Sequence, residues 1–309
     1  MADAPAIEFR GLAKNYGRVR ALDGIDLQVQ RGEIFGFFGP NGTGKTTAIR
    51  VLLDLIRPTQ GQAFLLGFDS RGNSVEVRRR IGYLPGELHL YDTLTGAQTL
   101  DFFASLRPGA VDPNYRRSLL QRLDLAPDRQ VAAYSKGNKQ KLGLILAMMH
   151  RPDVLVLDEP TSGLDPLIQE EVARLLEEEA ASGRTVFFSS HVLPEVERMC
   201  HRVGIIRQGR MVAVEDVAAL KGRSLHIIEV TFEAPPPPGA FEIPGVREVQ
   251  RDGRMLHLEV RDNIDAAIKA ISRFPILDLR TEQPSLEQVF LVYYQEGGSA
   301  PAGEVSSAS

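Results

Sequence analysis

The stretch 35-FGFFGPNGTGKTT-47, from Phe35 to Thr47, decides how the whole chain is to be read. Within it, Gly39 to Thr46 has a glycine, four residues, then glycine, lysine and a hydroxyl residue. That is the spacing of a phosphate loop, and it follows the apolar run Ile34–Phe38 and opens a helical pattern. Gly39, Gly42 and Gly44 have no side chain in the way, so the backbone can curl with its N–H groups turned toward a polyphosphate. Lys45 adds a point charge for the outer phosphates. The helix beginning near Gly44 offers unsatisfied N–H groups and a positive dipole end to the same anion. The Thr46 hydroxyl is placed to ligate Mg2+. Pro40, Asn41, Thr43 and Thr47 complete the candidate nucleotide-binding set.

Hydrolysis needs metal ligands and a group that orients water, and the next informative stretch supplies candidates for both. Val154–Leu157 is a continuous aliphatic run bounded by Pro152 and by Asp158-Glu159-Pro160. Continuous rather than alternating apolar character predicts a strand covered on both faces. At its end, Asp158 is placed to hold Mg2+ opposite Thr46, and Glu159 to point a carboxylate at an attacking water.

Around these two stretches, strand and helix patterns alternate. Strands are expected near Ile7–Leu12, Ile25–Val29, Ile34–Phe38, Ala63–Leu66, Ile81–Leu84, Thr185–Ser189 and Val203–Arg207. The segment Lys14–Ala21 reads as a loop; Tyr16 there is either an ordinary loop aromatic or a face on which a base stacks, and the residues alone favour the first. Helices are expected at Thr46–Ile56, stopping before Pro58, and at Ile168–Ala181 and Leu193–Cys200. Leu94–Leu106, Asn114–Leu125 and Gly137–Met149 form a helix-rich insertion over about 87–150. The result is an α/β doubly wound core over residues 1–221.

The pattern changes after Lys221. Strand-like Leu225–Phe232, Val246–Gln250, Met255–Val260 and Ile276–Arg280, with helical Ile264–Arg273 and Leu286–Tyr294, predict a small α+β domain over 222–295. Residues 296–309, rich in Gly, Ala and Ser, read as a disordered tail.

A length of 309 residues allows one large core and a second, smaller one, and the net charge of -4 gives no electrostatic footprint for nucleic acid. The single cysteine, Cys200, excludes an internal disulfide and suits a reducing compartment. Neither a leader pattern nor a run of about 18 apolar residues is present, so a soluble, intracellular protein is expected whose membrane role needs a partner.

Taken in order, the motifs resemble those of the ATP-binding cassette (ABC) ATPases over about Ile7–Lys221. GPNGTGKT matches Walker A, VLVLDE matches Walker B with its catalytic Glu159, SGLD at Ser162–Asp165 matches the D-loop, and His191 in SSHVLPEVE matches the switch histidine. The resemblance implies a P-loop cassette with antiparallel β and helical subdomains. It also implies ATP and Mg2+ as cofactors, catalytic roles for Lys45, Glu159 and His191, and adenine stacking on Tyr16. Two motifs depart from the pattern. The signature motif is YSKGN, with Ser135, Lys136, Gly137 and Asn138 expected to meet ATP across a dimer interface, and Gly86 stands where the Q-loop glutamine belongs, with Glu87 beside it. The lysine-containing signature, the following KQKL and the ending PSLEQVFLVYY are similar to drug-exporter ATPases whose permease is a separate chain. The implied partners are an integral membrane permease and a second ATPase subunit, with the chain at the cytoplasmic face of the cell membrane. The competing reading is a soluble ABC ATPase with a regulatory role.

Overall fold

The computed structural model describes residues 4–282 except 108, 110, 223–224 and 262–263. The expected helix at Leu286–Tyr294 and the tail at 296–309 lie outside the described residues. The chain divides into two compact units, one ending at Asp216 and the other beginning at Val217.

In the first unit, β1 (Ile7–Tyr16), β2 (Val19–Val29), β3 (Ile34–Phe38), α1 (Lys45–Leu52), β4 (Gln60–Leu65) and β5 (Phe68–Asp69) come first. Then follow α2 (Ser74–Arg79), β6 (Ile81–Leu84), α3 (Gly96–Ser105), α4 (Pro113–Arg122), α5 (Lys136–Met148), β7 (Val154–Asp158), α6 (Pro166–Ala181), β8 (Thr185–Ser190), α7 (Leu193–Met199), β9 (Arg202–Arg207) and β10 (Arg210–Asp216).

Two sheets share this unit: a four-stranded one in the order β2-β1-β4-β5 and a six-stranded one in the order β10-β9-β3-β8-β7-β6. The first is antiparallel throughout, with Ile7 opposite Val29 and Phe9 opposite Leu27. The second is parallel except where β10 turns back on β9. Every residue of β3, β7 and β8 is buried, which is why Ile34–Phe38 and Val154–Leu157 read as unbroken apolar runs. Ile7, Phe9, Leu12 and Leu27 of the antiparallel sheet pack with Ile49 and Leu52 of α1 and Phe37 of β3 in one core.

Two expectations are corrected and one strand is added. Lys14–Ala21 is no loop: β1 and β2 run through it and meet at a tight turn over Gly17 and Arg18. The helix after the phosphate loop ends at Leu52 rather than Ile56. Asp54 adopts a left-handed conformation (φ 53°), and the N–H groups of Leu55 and Asp54 bond back to Arg50 and Val51, a Schellman closure. The added strand is β10, joined to β9 through Gln208 and Gly209, both at positive φ (48° and 77°). Two left-handed residues in a row are what a two-residue hairpin turn requires.

The second unit contains α8 (Val217–Gly222), β11 (Leu225–Phe232), β12 (Val246–Asp252), β13 (Met255–Arg261), α9 (Ile264–Ile271) and β14 (Ile276–Glu282). Its sheet order is β12-β13-β11-β14, antiparallel throughout. One face of it, with Ile228, Val230, Leu256 and Leu258, packs against Ala267, Ala270 and Ile271 of α9, residues spaced to share one helical stripe.

Candidate functional site

Parallel pairing of β3, β7 and β8 puts their C-terminal ends side by side: Phe38 is opposite Ser190, and Asp158 is opposite Ser189. Candidate residues that lie far apart in the chain therefore converge at one sheet edge, where doubly wound folds hold their ligands.

The loop after β3 is shaped by its glycines. Gly44 caps α1 with φ 107°, and a Cβ there would lie 2.4 Å from the Ala21 carbonyl oxygen. A Cβ on Gly39 would come equally close to Ile206 O, at 2.4 Å. Thr43 closes the curl by donating its hydroxyl to Pro40 O (2.9 Å) and accepting from Gly209 N–H at its carbonyl (3.1 Å). The β9–β10 turn thus braces the loop from outside. Lys45 is buried, and its Nζ donates to Gly39 O (2.5 Å) and Pro40 O (3.1 Å), with Glu159 Oε1 at 3.7 Å. Burial pulls the Lys45 pKa below the usual lysine value; Glu159 and then Asp158 oppose that shift. Asn41 and Gly42 are exposed at the loop tip, while Thr46 and Thr47 are half-buried on the first turn of α1.

Glu159 follows β7 in a left-handed conformation (φ 54°), and its N–H bonds to both Ser189 O (3.2 Å) and Ser189 Oγ (3.1 Å). Its Oε2 lies 2.8 Å from His191 Nδ1. Lys45, Glu159 and His191 therefore form a continuous polar chain. Asp158 is fully buried; its Oδ1 accepts from Ser189 Oγ at 2.5 Å, whereas Oδ2 has no hydrogen-bond partner. A buried carboxylate oxygen left bare is costly, and this one suits a cation. No group of three or more His, Cys, Asp or Glu side chains among the described residues forms a self-sufficient metal cage, as expected where phosphate and water oxygens supply most ligands. Tyr83 stands nearby, its hydroxyl pushed up to about 12 by burial and by Asp158.

Gly86 lies against this carboxylate: a Cβ there would be 3.0 Å from Asp158 Oδ2. The departure from glutamine thus leaves open the space beside Asp158 Oδ2. Glu87 is exposed next to it. On α5, Ser135 is the N-cap and accepts from Asn138 N–H (3.2 Å), so the signature residues present a helix N-terminus. Lys136 lies alongside Gly163, and Gly137 approaches Gly163 O so closely that a Cβ would be 2.8 Å away. Asp165 caps α6, accepting from Ile168 N–H (3.1 Å). Tyr16 ends β1 and is 47% exposed, with Lys14 Nζ 5.1 Å from its ring centre. That leaves a π-face for a base but keeps it outside the Lys45–Glu159–His191 chain.

Three residues without a sequence-based role turn out to hold the site together. Ser189 links Asp158 and Glu159. Gln140 of α5 donates to the Glu159 and Pro160 carbonyls. Glu195 of α7 accepts from the Thr161 hydroxyl and from Ser190 Oγ (2.6 Å), tying the loop after β7 to the one after β8. Ser189 and Glu195 stand in the same SSHVLPEVE stretch as His191, but nothing in that stretch names their partners, 31 and 34 residues upstream.

Comparison with known proteins shows the family of the chain. The family model described as "ABC transporter" matches residues 22–162. The daunorubicin resistance ATP-binding protein DrrA3 of Streptomyces coeruleorubidus is 36% identical over 94% of this chain and 96% of its own. The bacitracin transport ATP-binding protein BcrA of Bacillus licheniformis is 38% identical over 72% of this chain and 74% of its own. Among solved structures, an ATP-binding subunit of an ABC transporter superposes with a TM-score of 0.65 and 29% identity, over 70% of this chain and 92% of that one. A dimeric bacterial ABC transporter cassette, at 22% identity and a TM-score of 0.63, shares the fold. With a phosphate loop, an acidic strand end and relatives matched along nearly its full length, the chain belongs to the ATP-binding proteins of ABC transporters, ATPases that bind ATP with Mg2+ and hydrolyse it.

Proposed function

We propose that the chain is the motor of an exporter: it binds MgATP at the ends of β3, β7 and β8 and drives a separate integral membrane permease from the cytoplasmic face. The observation that supports this reading is the convergence of Lys45, Glu159 and His191 beside the bare Asp158 Oδ2.

Gly39–Thr47 wraps the phosphates with backbone N–H groups, and Lys45 trades its carbonyl partners for phosphate oxygens. Thr46 and Asp158 would hold Mg2+, which when bound would supply charge neutralisation for the phosphates. Glu159 accepts a hydrogen bond from the attacking water and aligns it with the γ-phosphorus; His191 fixes that carboxylate and donates toward the γ-phosphate. Tyr16 stacks on adenine, a contact worth about 1–3 kcal/mol. Residues 1–221 act as the cassette and 222–295 as an accessory domain.

Each chain carries both a phosphate loop and a signature helix, so two copies complete two sites head to tail. Ser135, Lys136, Gly137 and Asn138 of one copy face the ATP held by the other, as an anion at a helix N-terminus, and Asp165 lies at the seam. A homodimer satisfies this arrangement with one gene product. ATP then closes the pair and hydrolysis opens it. The export of drug-like or antibiotic molecules is proposed from what the relatives' names say of those proteins.

The test is affinity capture of the tagged chain from detergent-solubilised membranes of its own cell, with mass spectrometry of the complex. A multi-span membrane protein at comparable yield is expected; recovery with soluble proteins alone, and absence from membranes, overturns the exporter reading.

A further inference from the structure

Resting on the assignment of Glu159 as the water-orienting group, we propose that Gln140 is a positioning residue that pins the Glu159 backbone and couples it to the signature helix of the same chain. Glu159 sits at φ 54° without being a glycine, and Pro160 behind it biases it toward extended backbone. Such a conformation persists only where its surroundings hold it. Its N–H is held by Ser189. Its carbonyl accepts from Ser162 N–H (3.2 Å) and from Gln140 Nε2 (3.0 Å), and the same Gln140 amide also donates to Pro160 O (3.0 Å). Both amide protons of one buried side chain are therefore spent on consecutive carbonyls of the catalytic turn.

Gln140 is also well placed to transmit. It lies two residues beyond Asn138 on α5, and the first turn of that helix already touches Gly163 through Lys136 and Gly137. A helix is stiff over so short a distance. When the N-terminus of α5 docks on a nucleotide held by the partner copy, the shift reaches Gly163 through Gly137 and the Glu159 carbonyl through Gln140. Occupancy of one site thereby sets the aim of the carboxylate in the other. The hydrogen bonds of the Gln140 amide go to backbone carbonyls, so it acts through Glu159 and not on substrate.

The test uses the full-length chain with MgATP, comparing Gln140→Met, which keeps length and loses both donors, with Gln140→Lys, which restores donors at similar reach. Gln140→Met should lower kcat by about 10- to 100-fold, the cost of misplacing a catalytic group by about 1 Å. KM for ATP and calorimetric MgATP affinity should stay within about two-fold, and Gln140→Lys should recover most of the lost rate at a similar Tm. Wild-type kcat in Gln140→Met, or an equal loss in both variants, overturns the proposal. Glu159→Gln runs alongside: if it retains turnover, the assignment of Glu159 itself has failed; if it is inactive while Gln140→Met is not, only the role of Gln140 has.

Discussion

Replacing Ser189 by Ala deletes one oxygen that serves two functional residues. The hydroxyl donates to Asp158 Oδ1 at 2.5 Å and accepts from Glu159 N–H at 3.1 Å. The second loss is small, because Glu159 N–H keeps Ser189 O at 3.2 Å. The first is larger. Asp158 Oδ2 already lacks a partner, so the variant leaves a buried carboxylate with neither oxygen hydrogen-bonded by a side chain. A hydrogen bond to a charged group contributes about 1.5–3 kcal/mol, and stranding the buried partner costs a similar amount or more. A loss of about 2–4 kcal/mol is therefore expected without nucleotide, with little cavity term since Ser and Ala are close in size. The chain has no tryptophan, so urea unfolding is followed by far-UV circular dichroism. Saturating MgATP should shrink the difference, because a cation on Asp158 replaces the missing donor. The Mg2+ concentration for half-maximal turnover should rise about 10- to 100-fold, as when other second partners of metal ligands are removed. A stability change below about 0.5 kcal/mol together with unchanged Mg2+ dependence would refute the placement of Asp158 as a ligand supported by Ser189.

Two further outcomes follow from the geometry. Gly44→Ala places a side chain at φ 107° and 2.4 Å from the Ala21 carbonyl oxygen; it should abolish measurable MgATP binding by calorimetry, and wild-type affinity would contradict the loop conformation described. His150 is half-buried, with Nε2 3.0 Å from Ile81 O, and desolvation followed by the Arg107 charge lowers its pKa to about 4 from 6.5. The unfolded chain therefore takes up a proton that the folded one refuses between those values, so stability should be flat above about pH 6.5 and fall as pH drops toward 4. The slope from this one group is at most about 1.4 kcal/mol per pH unit. His150→Gln should be shallower by that amount in pH-dependent urea unfolding, and an identical slope would show that the imidazole is not held neutral.

How much of this was legible in the sequence depended on whether a residue's role is written in its neighbours. β3 and β7 stood out because burial on both faces removes the polar residues that otherwise interrupt a strand. β10 did not: its residues alternate between exposed and half-exposed, so no apolar face announces it, and only the Gln208-Gly209 pair hinted at the turn. The helix end at Leu52 was missed because Pro58 offered a conspicuous stop, whereas the actual closure rests on the left-handed Asp54. Motif residues were legible because the phosphate loop and the acidic strand end are contiguous. Ser189 and Gln140 were not, since each works across a long separation in the chain, 31 residues to Asp158 for Ser189 and 19 to Glu159 for Gln140. No local pattern encodes a hydroxyl or amide that serves a distant turn. The Q-loop position illustrates the converse: the sequence shows that glutamine is missing at Gly86, and the structure adds that the residue lies against Asp158, where a side chain would crowd the carboxylate.

The central claim is that Glu159, held between Lys45 and His191, is the group through which ATP is hydrolysed. The most direct measurement is steady-state ATPase activity of Glu159→Gln beside its MgATP affinity and its size-exclusion profile with ATP. The account predicts retained binding, turnover reduced by at least about 100-fold, on the scale of losing a positioned general base, and an ATP-dependent dimer that no longer dissociates. Undiminished turnover with normal binding would contradict it.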